Sequence, residues 1–226
     1  MNMFSSKKDD KSENYLVCKP FNHGWIEKRL SSQELDYVWR CIENKKGDYR
    51  SNLAGNITGS YELRDIGDWF YTNTISPLCI QYAKQFHNLA EEITFDGKLT
   101  NRRHPFRMSH WWVNYQYQHE FNPIHLHGSI YSYVIWMKIP YSYKEQCTKE
   151  FVSASNNKTV SSFQFLYNDI LGQLRTHVIN LEPEDEGRML FFPSTLQHQV
   201  YPFYDCDEPR ISVSGNIGLN LSLIHI

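Results

Sequence analysis

Trp111-Trp112-Val113-Asn114-Tyr115-Gln116-Tyr117 reads as a β-strand, rich in aromatic and β-branched residues. Six similar runs follow it: Ile130 to Ile139, Ser161 to Tyr167, Arg175 to Leu181, Arg188 to Phe192, His198 to Phe203 and Ile211 to Ile217. Gly, Pro, Asn and Asp separate them. Seven short strands with such punctuation predict an antiparallel sandwich or jelly roll. Upstream the texture is helical. Ser31-Ser32-Gln33-Glu34-Leu35 opens a helix whose apolar stripe is Leu35, Val38, Trp39 and Ile42, before Gly47 ends the pattern. A second helix starts near Pro77 with Leu78, Ala83, Phe86 and Leu89 as its stripe. The first hundred residues are therefore expected to be mainly helical, with an irregular Asn/Gly/Ser-rich connection around 51–60. The fold class that results is mainly β with α, a jelly-roll core carrying N-terminal helices on its outside.

The chain has 226 residues, enough for one sizeable domain, and 41% apolar residues, enough to bury a core. Basic and acidic side chains nearly cancel, 23 against 25, so a strongly cationic nucleic-acid binder is not indicated. No apolar run approaches the length of a membrane span, and the polar start carries no apolar leader. Cys18, Cys41, Cys79, Cys147 and Cys206 show no C-x-x-C spacing. These features predict a protein of the cytoplasm. Residues 1–14 read as a polar flexible tail, 15–220 as one domain with its β core at about 107–217. Residues 221–226 resemble the translation of an adapter read-through and are expected to be non-native.

Two segments carry chemistry. The first is His119-Glu120-Phe121-Asn122-Pro123-Ile124-His125-Leu126-His127-Gly128-Ser129. Alternate residues of a strand share a face, so His125 and His127 can offer both imidazoles to one ion. The second is Gly187-Arg188-Met189-Leu190-Phe191-Phe192-Pro193-Ser194-Thr195-Leu196-Gln197-His198, an apolar strand, a Pro turn, and a histidine opening the return strand. Two ligands from one strand and a distant third are how a β barrel builds a three-ligand facial site with an open side. Downstream, Pro209-Arg210-Ile211-Ser212-Val213-Ser214 places Arg210, Ser212 and Ser214 on one face. A guanidinium projecting into a barrel needs an anion, and a carboxylate suits it because two parallel hydrogen bonds form. The alternative is a surface arginine paired with Asp205, Asp207 or Glu208.

His-x-His, a distant His, and Arg-x-Ser some twelve residues later resemble the iron(II)- and 2-oxoglutarate-dependent oxygenases, whose fold is a double-stranded β-helix, or jelly roll. More narrowly, Glu120 to Gly128, Ser132 to Trp136 and Phe192-Pro193-Ser194 up to His198 resemble the oxygenases encoded by marine tailed phages. The resemblance covers about 107–217. It implies that His125 and His198 bind Fe(II), and that Arg210, helped by Ser212, grips the far carboxylate of 2-oxoglutarate. His127 stands where most of the superfamily has Asp or Glu, and the phage-type members also have His there. The implied activity couples decarboxylation of 2-oxoglutarate to succinate with oxidation of a substrate by molecular oxygen. The substrate, a small molecule or a protein, is not named by any motif.

Several assignments stay open at this stage. His127 is preferred as third ligand, with Glu120 as its rival. The resemblance also makes Tyr115, ten residues before His125, a further candidate for contacting the co-substrate, with Ser132 and Tyr133 on the next strand as weaker ones. Trp111, Trp112 and Trp136 read as packing residues, His110 and His119 as exposed or structural histidines, and Asp169 as a turn residue. Two other functions fit the pattern. One is a cupin-type three-histidine dioxygenase or isomerase without 2-oxoglutarate, which leaves Arg210 without a task. The other is a non-catalytic jelly-roll binding protein.

Overall fold

A computed structural model describes residues 17–18, 20–87, 89 and 106–220. The two tails assigned from sequence, 1–14 and 221–226, lie outside these residues. Among the described residues ten strands, numbered here in chain order, form two antiparallel sheets. The larger runs β1 (Ile26–Arg29), β8 (Arg188–Pro193), β5 (Tyr131–Lys138), β10 (Arg210–Leu219), β3 (Phe106–Gln116) and β2 (Gly59–Glu62). The smaller runs β4 (Asn122–His125), β9 (Gln197–Val200), β6 (Phe163–Asn168) and β7 (Leu174–Ile179). Neighbours in these orders are mostly far apart in sequence, as in a jelly roll, which is the fold of the β core.

The period-2 alternation of each central strand sorts its side chains between two cores. Ile211, Val213 and Ile217 of β10, with Val113 and Ile135 from its neighbours and Phe191 of β8, pack under the helices. Val134, Trp136, Leu190 and Phe192 face the other way and meet Phe163 and Phe165 of the smaller sheet. Each such fully buried aromatic or aliphatic side chain contributes about 1.5–3 kcal/mol relative to exposure. The functional face of the larger sheet is therefore the one that looks into the space between the sheets.

Helix α1 (Ser32–Glu43) begins with a capping box: Ser31 Oγ accepts from the Glu34 N–H at 3.3 Å, and Glu34 accepts from the Ser31 N–H at 2.8 Å. Val38, Cys41 and Ile42 form its buried face. Helix α2 (Ser76–Phe86) carries Pro77 in its first turn and buries Leu78, Cys79 and Tyr82. The described part of the first hundred residues is less helical than its periodicity implies. β1 and β2 extend the larger sheet at its two edges, pairing with β8 and β3. Both are four residues long, and Ile26-Glu27-Lys28-Arg29 is mostly charged, so neither shows a strand pattern. β4, on which the sequence reading placed His125 although it is not one of the seven runs, has Pro123 inside it; it is an edge strand, where proline is tolerated.

Candidate metal and co-substrate site

His125 on β4 lies directly opposite His198 on β9, and their rings are 4.2 Å apart between centroids. His127 follows two residues later, just beyond the end of β4. Its backbone N–H donates to the Ser194 carbonyl at 2.9 Å, which keeps the chain against the β8–β9 turn and the ring on the same side as His125. The ligand nitrogens of the three histidines lie within 4.8 Å of one another. Glu120, the rival ligand, is occupied elsewhere. Its carboxylate accepts from the Thr58 N–H and hydroxyl and from the Tyr117 N–H.

The ring nitrogens are sorted by backbone contacts. His125 Nδ1–H donates to the Pro123 carbonyl at 2.7 Å, and His198 Nδ1–H donates to the Leu196 carbonyl at 2.9 Å. Each bond fixes a tautomer whose Nε2 lone pair is left for a metal. Burial depresses the basicity of all three. Desolvation pushes His198, packed against Phe163 and Phe192, well below the usual histidine value, and His125 lies below it for the same reason. Desolvation, then the neighbouring His125 and His110, bring His127 down to about 4. At neutral pH the cluster is three uncharged imidazoles, the form that binds a divalent ion. Imidazole suits Fe(II), so the donor set fits the metal that the sequence resemblance implies.

Arg210 is 1% exposed, so it is not the surface ion-pair partner that was the alternative reading. Of the three acids that reading named, Glu208 pairs with Lys138, Asp205 pairs with Lys149 and Asp207 accepts from Gln118. Arg210 instead donates to neutral acceptors: Tyr141 Oη at 2.5 Å, the Ser161 carbonyl at 2.7 Å, Gln116 Oε1 at 2.5 Å and the Tyr201 carbonyl at 3.3 Å. Ser161 adopts a left-handed backbone conformation, φ 56°, in presenting that carbonyl. Among the described residues no carboxylate pairs with this buried cation. An anion entering the same cavity would supply the missing charge.

Arg210, Ser212, Ser214 and Asn216 of β10 line one cavity with the three histidines, and its volume is about 140 Å³. Asn114, Gln116 and Trp112 of β3 line it too. Tyr115 does not contact it. It points to the opposite face of β3, against Tyr61 and beneath the Lys45 ammonium, because from Trp111 onward the odd-numbered residues of that strand face the helices. The candidate co-substrate contacts on β3 are its neighbours Asn114 and Gln116. Ser132 is buried in a cluster with Ser194 and Asn216, and the Tyr133 hydroxyl contacts Met108 Sδ. Trp111 packs in the helix-side core, whereas Trp112 and Trp136 reach the cavity wall. Asp169 closes its turn by accepting from the Leu171 and Gln173 N–H groups.

Sequence reading also overlooked one wall. Tyr49, Asn52, Leu53, Ala54 and Ile57 line the cavity from the irregular connection before β2. Asn56 pairs with Phe121, and Gly55 packs so tightly on the Asn122 side chain that a Cβ would lie 1.5 Å from Oδ1. The Asn-Gly composition of this connection was visible, but nothing local says that it docks on β4.

With this geometry established, comparisons can be stated. Residues 110–216 match the family model described as "Putative 2OG-Fe(II) oxygenase". No curated protein matches the chain. Similar solved structures include a prolyl-4-hydroxylase from Pseudomonas putida, 15% identical, covering 87% of this chain and 92% of that one with a TM-score of 0.48. A Trichoplax adhaerens prolyl hydroxylase in complex with a hypoxia inducible factor oxygen degradation domain peptide fragment is 14% identical, covering 87% and 83%, TM-score 0.49. HygX from Streptomyces hygroscopicus, with nickel, 2-oxoglutarate and hygromycin B bound, is 11% identical, covering 88% and 84%, TM-score 0.44. The matched segment spans β3 to β10 and contains every residue of the histidine cluster and Arg210. The family match and the His-His-His group point to an enzyme, a 2OG-Fe(II) oxygenase with Fe(II) and 2-oxoglutarate as metal and co-substrate.

Proposed function

We propose that His125, His127 and His198 hold Fe(II), and that Arg210 and Ser212 bind the distal carboxylate of 2-oxoglutarate, with Asn114 and Gln116 beside them. The observation that carries this reading is one cavity containing three uncharged imidazoles and a buried guanidinium with no carboxylate partner among the described residues. When bound, the metal and keto acid supply oxygen activation coupled to decarboxylation, yielding succinate and an oxidised substrate. The chain's own residues do the positioning. The Pro123 and Leu196 carbonyls hold two imidazoles in the metal-binding tautomer, and Phe163, Phe165 and Phe192 keep water from His198. Gln116 and Tyr141 orient the guanidinium.

The resemblance of Glu120 to Gly128 to phage-encoded oxygenases supports an origin of that type and action in the cytoplasm of a bacterium or infected host. Among the described residues no helix is long and apolar enough to cross a membrane. Residues 15–220 would act as one unit. The test is an anaerobic titration of the Fe(II)-loaded protein with 2-oxoglutarate. A visible charge-transfer band that disappears in Arg210→Ala supports the proposal. Tight iron binding without a band supports the cupin-type alternative, and no iron binding supports a non-catalytic jelly roll.

A further inference from the structure

The cavity face of β10 runs Arg210, Ser212, Ser214, Asn216, and the strand register sets Gln116, Asn114, Trp112 and His110 of β3 beside them in that order. Six residues of strand put the Cα atoms of Arg210 and Asn216 about 20 Å apart. The imidazoles sit toward the Asn216 end. The His127 ring is 6.0 Å from that of Trp112, and its backbone N–H is bonded to Ser194, whose hydroxyl lies 3.0 Å from Ser132. Ser132 in turn donates to Asn216 Oδ1 at 2.8 Å. A keto acid held at Arg210 by its far carboxylate and chelating a metal at the histidines leaves Asn216 on the other side of that metal.

On the oxygenase reading above, we propose that Asn216 is a substrate-binding residue whose Nδ2 donates a hydrogen bond to a neutral oxygen acceptor, a hydroxyl or carbonyl, of the substrate. Three features carry this. The Ser132 hydroxyl occupies Oδ1 and so fixes which way the amide faces. Neither Nδ2 N–H has a partner among the described residues, although Asn216 is 9% exposed and lines the cavity. An arriving acceptor would give the amide the partner that the chain itself does not supply. Finally, among the described residues no Asp, Glu or Lys lines the cavity, and the guanidinium that does, Arg210, is at the opposite end. Apart from the metal, which the keto acid largely neutralises, nothing beside Asn216 among the described residues would offer a countercharge, so the group that fits is uncharged.

The test uses ¹⁵N-labelled full-length protein loaded with Zn(II) and 2-oxoglutarate. The Asn216 side-chain amide signals are assigned by their loss in Asn216→Leu. N-methylacetamide, a neutral carbonyl probe, should move them downfield and saturably in the wild type. The movement should shrink in Ser132→Ala, which frees the amide to turn over. Signals that stay put in the wild type overturn the proposal. In parallel, 2-oxoglutarate affinity is read from the anaerobic Fe(II) charge-transfer band. It should be unchanged in Asn216→Leu. A loss of about tenfold, the worth of one hydrogen bond, would place the amide on the keto acid and overturn the substrate assignment. Absence of 2-oxoglutarate binding to the wild type would instead sink the oxygenase reading. The probe titration with Zn(II) alone would still decide whether Asn216 takes a neutral acceptor.

Discussion

Replacing Arg210 by Met separates the stability of the fold from the affinity for the co-substrate. The guanidinium is buried, donates to four neutral acceptors and has no acidic partner among the described residues. Removing it strands acceptors, each worth about 1 kcal/mol net, but also removes a cation whose burial is itself costly. These effects oppose each other, so the ligand-free melting temperature should move little. Co-substrate binding should not survive. At a concentration one hundred times its Kd, 2-oxoglutarate stabilises the wild type by about 2.7 kcal/mol. For a chain of this size that is a rise of about 5–10 °C. Losing the charge-assisted contact with the carboxylate costs about 3 kcal/mol, or roughly a hundredfold in Kd. The same concentration then stabilises Arg210→Met by about 0.4 kcal/mol, a rise of about 1 °C. The assay is a thermal melt of Fe(II)-loaded protein under anaerobic conditions, with and without 2-oxoglutarate. A variant that keeps most of the wild-type rise would show that the anion is gripped elsewhere.

Other consequences are as direct. His198→Ala should abolish stoichiometric metal binding, measured by calorimetry, while Glu120→Gln leaves it intact; the reverse pattern would make Glu120 the ligand. The metal-free protein should lose stability on acidification. The folded chain holds His127 neutral down to about 4, whereas the unfolded chain protonates it near 6.5, so the unfolded state binds more protons between those values. Stability is thus complete above pH 6.5 and falls as pH drops toward 4, and melts across that window should show a shallower slope in His127→Gln. A flat wild-type profile would contradict the desolvation argument. Gly55→Ala places a methyl group 1.5 Å from Asn122 Oδ1, so the 52–57 wall must move. Hydrogen exchange at Asn56, whose N–H is bonded to the Phe121 carbonyl, should rise by about tenfold or more, and unchanged protection would mean that Asn122 yields instead.

The parts of the site readable in sequence are those in which alternation decides direction. Ser212 follows Arg210 onto the cavity face because β10 is regular there, and the strand-turn-strand reading of Gly187 to His198 brings His198 opposite His125. The same rule applied to β3 would have turned Tyr115 away: Trp112, Asn114 and Gln116 share one face, so the residue between them cannot. That error came from following the resemblance instead of the period. His127 reached its position without a strand to guarantee it, through a bond from its N–H to Ser194, a contact set by tertiary structure. β1, β2 and the 49–57 wall were illegible for a related reason. Each is short and polar, and each gains its place by pairing with a strand remote in sequence, which no local pattern encodes.

The third imidazole changes what holds the site together. With a carboxylate in the His127 position, a divalent ion would keep one net positive charge; with three neutral imidazoles it keeps two. Arg210 adds another, and among the described residues no acid lines the cavity. A cavity holding metal alone would therefore carry three positive charges in a partly dry space, an unfavourable state at low dielectric. A dianion that touches both the metal and the guanidinium cancels two of them. Metal and co-substrate must then strengthen each other's binding, and by reciprocity the same factor applies in both directions. The uncharged ligand set thus trades metal affinity in isolation for dependence on the keto acid. On the proposed assignment, an arginine with only neutral neighbours is tolerated in the middle of this fold because its countercharge would arrive with the co-substrate.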